Sequence, residues 1–394
     1  MFLRNPSYFK VKKNLYALSG LTFEQRRSYI RARIDIIEKA SSTWTYPKFK
    51  VGTDVPMTKE DLINAEGVSG VKNQKHFYCE TSGSSGEVLK FSRNEVWDSV
   101  NRASIDIFKA RFGALPYDKT IYFWGISSGF WAGKKTRFLD LIMNRRRIFT
   151  YNETELLKFA RKNNDSAVIE GYSSSINELA KVCIKYDVKF SNIKLVKATS
   201  EKIFPEYRSN VRKAFNVQLF GEYGSAETGL IGFECDVNNY HVLKNNVMVT
   251  VDEHNEIYVT NLWSESFPVI NYRLGDYVSI SPHCSCGLDG PIITSIEGRV
   301  GKMILGYSDS YPSLYLYYVF KVLAVEYDIE LTYVAVQHKV GELFIHFERN
   351  LTEKESRLLL KVFKSYFGED LISYIITGLP KKTGKKRKDF ISHV

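Results

Sequence analysis

Long apolar runs are missing from this 394-residue sequence. Residues 1–13 mix basic side chains with scattered aromatics and contain no apolar segment followed by a small-residue cleavage site, so we expect no secretion signal. The most apolar stretch, residues 314–325, is interrupted by Lys321 and is shorter than the roughly 20 residues that cross a bilayer. These absences predict a soluble protein.

Cysteine is scarce as well, with five in the whole chain. An odd number of cysteines in a long chain without a secretion signal is typical of a reducing compartment, where thiols remain reduced or bind a metal. The expected location is therefore the cytoplasm. The sequence also contains no internal repeat and no extended low-complexity segment.

The residues that are present are those of an ordinary globular protein, 44% hydrophobic and 25% charged, in a chain long enough for two domains. The net charge is +11, and six of the eight residues 381–388 are basic. Such a run is usually a solvated surface. The alternative is a nucleic-acid or membrane-surface contact, whose affinity would fall steeply with salt. We expect no DNA partner and leave a peripheral membrane contact open.

Helical and extended patterns alternate through the middle of the chain. Apolar positions at helical spacing predict a helix over residues 23–40. Further on, helices alternate with short apolar strands, which predicts an α/β core with parallel strands. The predicted helices are residues 94–112 and 174–185, and the predicted strands are residues 120–124, 167–170 and 193–198.

Strands dominate the part that follows. Residues 247–251 and 256–260 flank a short polar turn and predict a β-hairpin in an antiparallel unit. Strands over residues 331–337 and 343–348, with a helix over residues 352–367, predict a small α+β domain.

The expected fold class is therefore α/β, with two domains. A large multi-layer domain over residues 1–298 includes a helical segment at residues 1–50 and the antiparallel unit. A small mobile α+β domain over residues 299–394 follows.

A Ser/Gly-rich segment is the most informative local feature. It consists of Thr81, Ser82, Gly83, Ser84, Ser85 and Gly86. Glycine lets a ligand approach the main chain, and each hydroxyl can donate to a phosphate oxygen. The segment predicts a phosphate-binding loop, although an ordinary turn has the same composition.

Two further segments combine a carboxylate with a glycine. Residues 222–227 follow an apolar run and bring together Tyr223, whose ring can stack on a base, and Glu227, whose oxygens suit Mg²⁺. Residues 272–276 place Asp276 in a predicted turn, where it can accept the two hydroxyls of a ribose. The alternative for the second segment is a plain surface turn.

Near the C-terminus, two more segments complete the set. Residues 297–301 lie where a hinge between the two domains is expected. Pro380 precedes Gly384 and Lys385, and a lysine on such a loop can neutralise negative charge as a carboxylate meets a phosphate.

The order of these five segments resembles that of the adenylate-forming superfamily, which includes acyl-CoA synthetases, nonribosomal adenylation domains and luciferases. The resemblance spans most of the chain. Four details are similar to the phenylacetate-CoA ligase-like branch and its capsular polysaccharide biosynthesis relatives. They are residues 55–62, residues 171–174, Cys284-Ser285-Cys286-Gly287 before Gly298-Arg299, and the Pro-x-x-x-Gly-Lys ending at Lys385.

The resemblance implies a role for each segment. The loop of Thr81 to Gly86 would close over the ATP phosphates, and Ser200 and Glu201 would lie near the adenine. In the 222–227 segment, Tyr223, with Gly224 and Ser225 beside it, would stack on adenine, and Glu227 would hold Mg²⁺. Asp276 would bind the ribose, Arg299 the ribose or phosphates, and Lys385 the carboxylate and α-phosphate. The expected catalytic residues are Lys385, Arg299 and Glu227.

The activity implied is ATP-dependent activation of a carboxylic acid as acyl-AMP with release of pyrophosphate. Transfer to a thiol or amine acceptor follows, such as CoA, a carrier protein or an amino sugar, in a surface-polysaccharide context. This chemistry needs positioning and cations rather than a nucleophilic triad. Alternatives are adenylyl transfer as the final reaction, a degenerate nucleotide-binding protein, or a binding protein that uses the basic run.

Several positions differ from the superfamily pattern. Ala226 stands where a threonine usually contacts the α-phosphate, with Ser225 beside it as a substitute. Leu274 replaces a threonine before Gly275-Asp276, and Gly301 replaces a charged hinge residue. The loop also lacks the usual Pro-Lys continuation, so Lys90 receives no catalytic role.

A zinc site is predicted from two residue pairs. Cys284 and Cys286 form a tight pair, and Cys235 is followed by His241, so a fold that joins them supplies three thiolates and one imidazole for structural zinc. The alternatives are His283 as the fourth ligand, or two unrelated pairs. Cys79 and Cys183 are expected in the core.

An aromatic and glycine-rich segment, residues 122–131, occupies the place where relatives have part of the acyl pocket. Core packing explains such aromatics equally well. The identity of the acid is left open.

Overall fold

The structure is a computed structural model that describes residues 4–45, 49–52, 55–67, 71, 74–81, 89–124, 130–148, 153–201, 203–299, 303–329, 331, 333–347, 349–378 and 390–394. Its internal contacts divide the chain into two compact units. The first contains the described residues up to 81, then 89–274 and 278–296; the second contains 275–277 and the described residues from 297 onward.

The helices of the described residues are α1 (Tyr8–Ser19), α2 (Phe23–Ser41), α3 (Lys59–Ile63), α4 (Glu95–Ala110), α5 (Phe130–Ile142), α6 (Glu153–Lys162), α7 (Ser173–Lys185), α8 (Pro205–Phe215), α9 (Leu314–Tyr327) and α10 (Glu353–Phe367). The first strands are β1 (His76–Glu80), β2 (Lys90–Asn94), β3 (Thr120–Phe123), β4 (Arg145–Ile148), β5 (Val168–Tyr172), β6 (Leu195–Thr199), β7 (Leu219–Ser225), β8 (Gly229–Glu234) and β9 (Tyr240–Val242). The others are β10 (Val247–Val251), β11 (Glu256–Asn261), β12 (Tyr272–Ser281), β13 (Ile292–Arg299), β14 (Met303–Leu305), β15 (Ser310–Pro312), β16 (Tyr333–Lys339), β17 (Glu342–Phe347), β18 (Ile372–Thr377) and β19 (Phe390–Ser392).

One large sheet dominates the first unit, with the strand order β10-β11-β12-β13-β9-β8-β7-β6-β5-β3-β4. The strands β4, β3, β5, β6 and β7 run parallel to one another. Strand β8 pairs antiparallel with β7 and β9, and β9 pairs antiparallel with β13. The sheet therefore has a parallel half, β3 to β7, and a half that is largely antiparallel, β8 to β13.

The parallel half forms where buried strands alternate with amphipathic helices. Ile121, Ile169, Val196 and Leu219 lie on one face of adjacent strands and belong to a single core cluster. Residues of α6, α7 and α8, such as Leu179, complete that cluster. Both the strands and the helices bury their apolar sides in this way, as expected for an α/β core.

The second unit is described separately. Its four-stranded sheet has the order β18-β17-β16-β19, and the helices α9 and α10 pack with it around one apolar core. Helix α10 begins with a capping box in which the Thr352 hydroxyl accepts from the Glu355 amide. This is the predicted α+β architecture. The mobility of this unit stays a prediction.

Most elements agree with the sequence-based predictions. The helix over residues 23–40, the hairpin of β10 and β11, and the alternating α/β core are confirmed. The turn predicted at residues 272–276 is wrong, because these residues lie inside β12. Gly275 adopts a φ of 81°, a left-handed value that glycine allows. The strand tolerates this value as a local irregularity.

Among the described residues, no helix combines enough length with enough apolar character to cross a bilayer.

Candidate functional site

The site lies where the parallel strands end. Strand β3 has β4 on one side and β5 on the other, and the chain leaves β3 for β4 before it crosses back to β5. This reversal is a topological switch point, and in open α/β sheets ligands bind outside the carboxyl ends of the strands at such a point.

Four side chains form a row along this edge, each from a different strand end. Tyr172 pairs with Thr199, and Thr199 pairs with Glu222. Trp124 directly follows β3 and stacks on Tyr172. All four are half-buried. Since residues paired across strands share a face of the sheet, the row presents two aromatic rings and two polar groups on one side.

The aromatic end of the row is backed by arginines. The Trp124 and Tyr172 rings are 4.8 Å apart with an angle of 8° between their planes. Tyr122 stacks on Trp124 at 6.0 Å, and the guanidinium groups of Arg145 and Arg147 each lie 4.7 Å from the Tyr122 ring. The next part of the predicted acyl-pocket segment, residues 125–129, lies outside the described residues.

Buried charges lie beneath the polar end of the row. Glu170 and Lys197 are only 4% and 3% exposed. Lys197 is paired with Glu222 and lies 3.9 Å from Glu170, whose other partners are Lys109 at 2.7 Å and Arg145 at 3.9 Å. The Thr199 hydroxyl donates to Glu222 at 3.1 Å. We call Lys109, Glu170, Lys197 and Glu222 the ion chain.

Glu170 and Lys197 are both charged at neutral pH. Burial by itself raises the pKa of Glu170, but the neighbouring Lys109 and Lys197 outweigh burial and lower this pKa to about 2. Lys197 responds in the opposite direction: burial lowers its pKa, but Glu222 and Glu170 raise it above the usual value. A depressed carboxyl pKa stabilises the fold above the ordinary glutamate pKa of about 4.5, and this contribution is lost as the pH falls towards 2.

The 222–227 segment extends further as a strand than predicted. Strand β7 continues to Ser225, so Tyr223 and Gly224 lie within it and not in the turn that follows. Tyr223 is buried, and its ring meets the edge of Tyr240 with centroids 6.0 Å apart. The Tyr240 ring lies close to Gly221, which has no side chain. A Cβ at residue 221 would lie 2.2 Å from the Tyr240 hydroxyl oxygen.

Glu227 lies in the short turn between β7 and β8. The carboxylate is buried, and the Tyr272 hydroxyl donates to its Oε1 at 3.4 Å. In the same turn the Ser225 hydroxyl accepts from the Thr228 amide at 3.0 Å, and the Asn261 side chain donates to the Thr228 carbonyl. These bonds fix the turn, and a carboxylate held in this way is an oxygen ligand of the kind that Mg²⁺ prefers.

The predicted phosphate-binding loop is described only at its base. Thr81 is buried; its amide donates to the Leu89 carbonyl, and its hydroxyl accepts from the Leu89 amide, both at 3.0 Å. Ser82, Gly83, Ser84, Ser85 and Gly86 lie outside the described residues, as does Lys385. Arg299 ends β13, and its side chain is likewise outside them. Asp276 is buried on β12.

Ser200 and Glu201 follow the end of β6. Ser200 has a φ of 68°, a left-handed value. The Glu201 carboxylate accepts from the Ser174 amide at 2.9 Å and from the Ser173 hydroxyl at 3.3 Å. Since Tyr172, the N-cap residue of α7, supplies no side-chain bond, Glu201 caps this helix from another part of the chain. That Glu201 caps α7 was not predicted from the sequence.

The four predicted zinc ligands are brought together. Cys235 follows β8, His241 is on β9, and Cys284 and Cys286 lie in the loop between β12 and β13. Their ligand atoms all lie within 4.8 Å of one another. His283, the alternative ligand, is exposed and does not belong to this group. We call these four residues the cysteine–histidine cluster.

The spacing within the cluster suits a tetrahedral ion. Two sulfurs, each about 2.3 Å from a tetrahedral zinc, lie about 3.8 Å apart. The Cys235 and Cys284 sulfurs are 3.7 Å apart, and the Cys286 sulfur is 3.2 Å from His241 Nε2. The Asn239 amide donates to the Cys284 sulfur at 3.4 Å, as a supporting group around a thiolate would.

Some features of the site could not be found by motif reading. The ion chain and the Trp124–Tyr172 stack join strands that are far apart in the sequence, so only the strand register reveals them. Tyr240 carried a weak signal, since it directly precedes a predicted zinc ligand. Of the other two cysteines, Cys183 belongs to the core and Cys79 packs partly buried against it, as predicted.

The chain is similar in sequence to two known proteins over part of its length. No protein-family model matches the chain. The protein CapK of Staphylococcus aureus is 25% identical over 287 residues, which cover 68% of this chain and 63% of CapK. The indoleacetate–lysine synthetase of Pseudomonas savastanoi is 34% identical over 96 residues, which cover 23% of this chain and 24% of the synthetase. The chain thus spans less than two thirds of the length of either relative.

Solved structures match more of the chain. A 2-hydroxyisobutyryl-CoA ligase in the postadenylation state, in complex with 2-HIB-AMP, has a TM-score of 0.65; the match covers 94% of this chain and 90% of the ligase at 13% identity. The same ligase with 2-HIB-AMP and CoA, in the thioesterification state, has a TM-score of 0.58 over 95% and 91% at 15% identity. At such identities the likeness concerns the fold. The chain therefore has the fold of the adenylate-forming ligases, as its motifs predict.

Proposed function

We propose that this protein is an ATP-dependent ligase that activates a carboxylic acid as an acyl adenylate and transfers the acyl group to a thiol or an amine. The observation that carries the proposal is the position of Tyr223 and Glu227 at the carboxyl end of β7, on the same edge of the parallel strands as the switch point, in a chain with this fold. Both are buried side chains whose surroundings are fixed by specific contacts.

In the first step, a carboxylate oxygen of the acid attacks the α-phosphorus of ATP, and pyrophosphate leaves. The barrier is dominated by bringing two anions together in line, so the protein contributes position and positive charge. Tyr223 would stack on the adenine and Asp276 would accept the ribose hydroxyls. Glu227 would hold Mg²⁺, which supplies charge neutralisation at the phosphates. Arg299 and Lys385 are proposed as the cations at the reacting groups.

In the second step, the acceptor attacks the acyl carbonyl carbon and AMP leaves. Relatives support two kinds of acceptor: the solved ligase carries CoA in one of its structures, and the synthetase of Pseudomonas savastanoi is named for lysine. The resemblance of the motifs to the capsular polysaccharide biosynthesis relatives supports a place in surface-polysaccharide biosynthesis, where an amino sugar would be the amine. CoA and a carrier protein are the thiol candidates.

The cysteine–histidine cluster is proposed to bind structural Zn²⁺. Three thiolates and one imidazole fill a tetrahedron and leave no position for a reacting water, so the ion would stabilise the fold and take no part in the chemistry. It would join the end of β8 and the middle of β9 to the loop before β13.

ATP–pyrophosphate exchange tests the main proposal, with a panel of aryl, fatty, hydroxy and amino acids. We expect exchange to depend on one class of acid. Lys385→Ala should lower it by about 100-fold or more because the cation at the reacting groups is lost. Lys388→Ala is the matched control from the same basic run and should retain exchange. Equal activity of both variants would remove Lys385 from its proposed role, and no exchange with any acid would overturn the ligase proposal.

A further inference from the structure

Helix α5 turns large apolar side chains towards the solvent. Phe138, Leu141 and Ile142 are 61%, 70% and 60% exposed, whereas Asp140 between them is buried. Their spacing places all three on one side of the helix. A surface helix normally points its apolar side inwards, so this arrangement marks an interaction surface.

Tyr117 extends this surface beyond the helix. Its ring is also exposed, and its carbonyl accepts from the Asn144 side chain in the turn after α5. Asn144 in turn accepts from the amide of Thr120, the first residue of β3. The surface therefore lies at the amino-terminal edge of the parallel strands, opposite the edge that holds the candidate active site.

Exposed cations lie near the apolar side chains. Residues 115–148 contain seven basic and two acidic residues, and three of these bases, Lys119, Arg145 and Arg147, are themselves ion-paired. Arg137 and Lys134 are exposed on α5, and Arg146 is half-exposed on β4. The nearby acidic groups are already paired with bases: Asp118 with Lys194, Asp140 with Arg147 and Asp165 with Lys119.

We propose that this α5 face, made of Tyr117, Arg137, Phe138, Leu141 and Ile142, docks the protein on an anionic lipid surface. Apolar and aromatic side chains next to exposed cations are the features that bind a helix in the plane of a membrane interface. A second copy of the chain is a poorer occupant, because a symmetric contact would bring two basic surfaces together. Docking by this edge leaves the active-site edge accessible. The inference does not depend on the proposed function.

Vesicle flotation tests the proposal, with phosphatidylcholine vesicles that contain or lack phosphatidylglycerol. We expect the full chain to float with the anionic vesicles only, and added salt to weaken the association. The double variant Phe138→Ser/Leu141→Ser should lose binding by about tenfold or more. Phe23→Ser removes a side chain that is 77% exposed on another helix and should leave binding unchanged.

The contribution of charge is tested with two single arginine variants. These variants also keep the proposal testable if the double variant Phe138→Ser/Leu141→Ser is poorly folded. Arg137→Gln should weaken flotation, whereas Arg357→Gln, which removes an exposed cation from α10 in the second unit, should not. Three results would overturn the proposal. They are flotation with neutral vesicles alone, flotation that all four variants leave unchanged, or light scattering that shows an oligomer dissociated by Phe138→Ser/Leu141→Ser without any vesicle binding.

Discussion

The two halves of the large sheet hold their polar groups by different means. In the parallel half, Lys197 and Glu170 are buried side by side, and each compensates the charge of the other. In the antiparallel half, the cysteine–histidine cluster brings together three sulfurs and an imidazole. These four residues include no Lys, Arg, Asp or Glu that could compensate a charge within the cluster. The ion chain is compensated by protein side chains alone, whereas the cluster in the antiparallel half has the ligand set of the ion that we propose it binds. The stability of the two halves should therefore respond to different changes.

The largest effect is expected in the parallel half, from Lys197→Met. This change leaves the half-buried Glu222 carboxylate without its cation and removes one of the three cations around the buried Glu170, and breaking a buried ion pair from one side costs about 3–5 kcal/mol. Urea unfolding monitored by circular dichroism measures the loss. Lys185→Met is the control, because its pair with Glu153 is largely exposed and screened by water, so its loss should change the stability little. A loss no larger than that of the control would mean that the ion chain does not support the sheet.

The next effect belongs to the antiparallel half and depends on the ion. Zinc that binds only the folded chain at about 100 times its Kd stabilises by about 3 kcal/mol, so chelation should lower the melting temperature. Cys284→Ser should lower the zinc content and the melting temperature together. Cys79→Ser, a change at a thiol outside the cluster, should keep the zinc. If metal-free protein melts at the same temperature as the purified protein, the structural role is refuted.

The difference between the halves also explains what the sequence could predict. The residue types of the cluster are rare here, with five cysteines and seven histidines in the chain, so two nearby pairs were enough to propose it. The ion chain consists of ordinary Lys and Glu residues, and its members meet only through the register of separate strands. Nothing in the local sequence distinguishes Lys197 from a surface lysine.

The same reasoning applies to the nucleotide-binding segments. Tyr223 and Glu227 were placed near a strand end because an apolar run precedes them, and β7 does end beside them. Asp276 is predicted in a turn but lies within β12, where the strand continues through Gly275 in spite of its left-handed φ. The capping of α7 by Glu201 also requires the fold, since the two are separated by β6 and the loops around it.

The smallest effect is expected where the two halves meet, at β7. Gly221→Ala would put a methyl group 2.2 Å from the Tyr240 hydroxyl oxygen, so one of the two strands must shift, at a cost of about 1–3 kcal/mol. Because Tyr240 contacts the Tyr223 ring, the shift should also raise the KM for ATP in pyrophosphate exchange more than it lowers kcat. Tyr240→Phe, which removes the clashing oxygen, should recover part of both losses in the double variant. If Gly221→Ala destabilises the protein but leaves the KM for ATP unchanged, the contact is structural only, and Tyr240 does not position Tyr223 for the nucleotide.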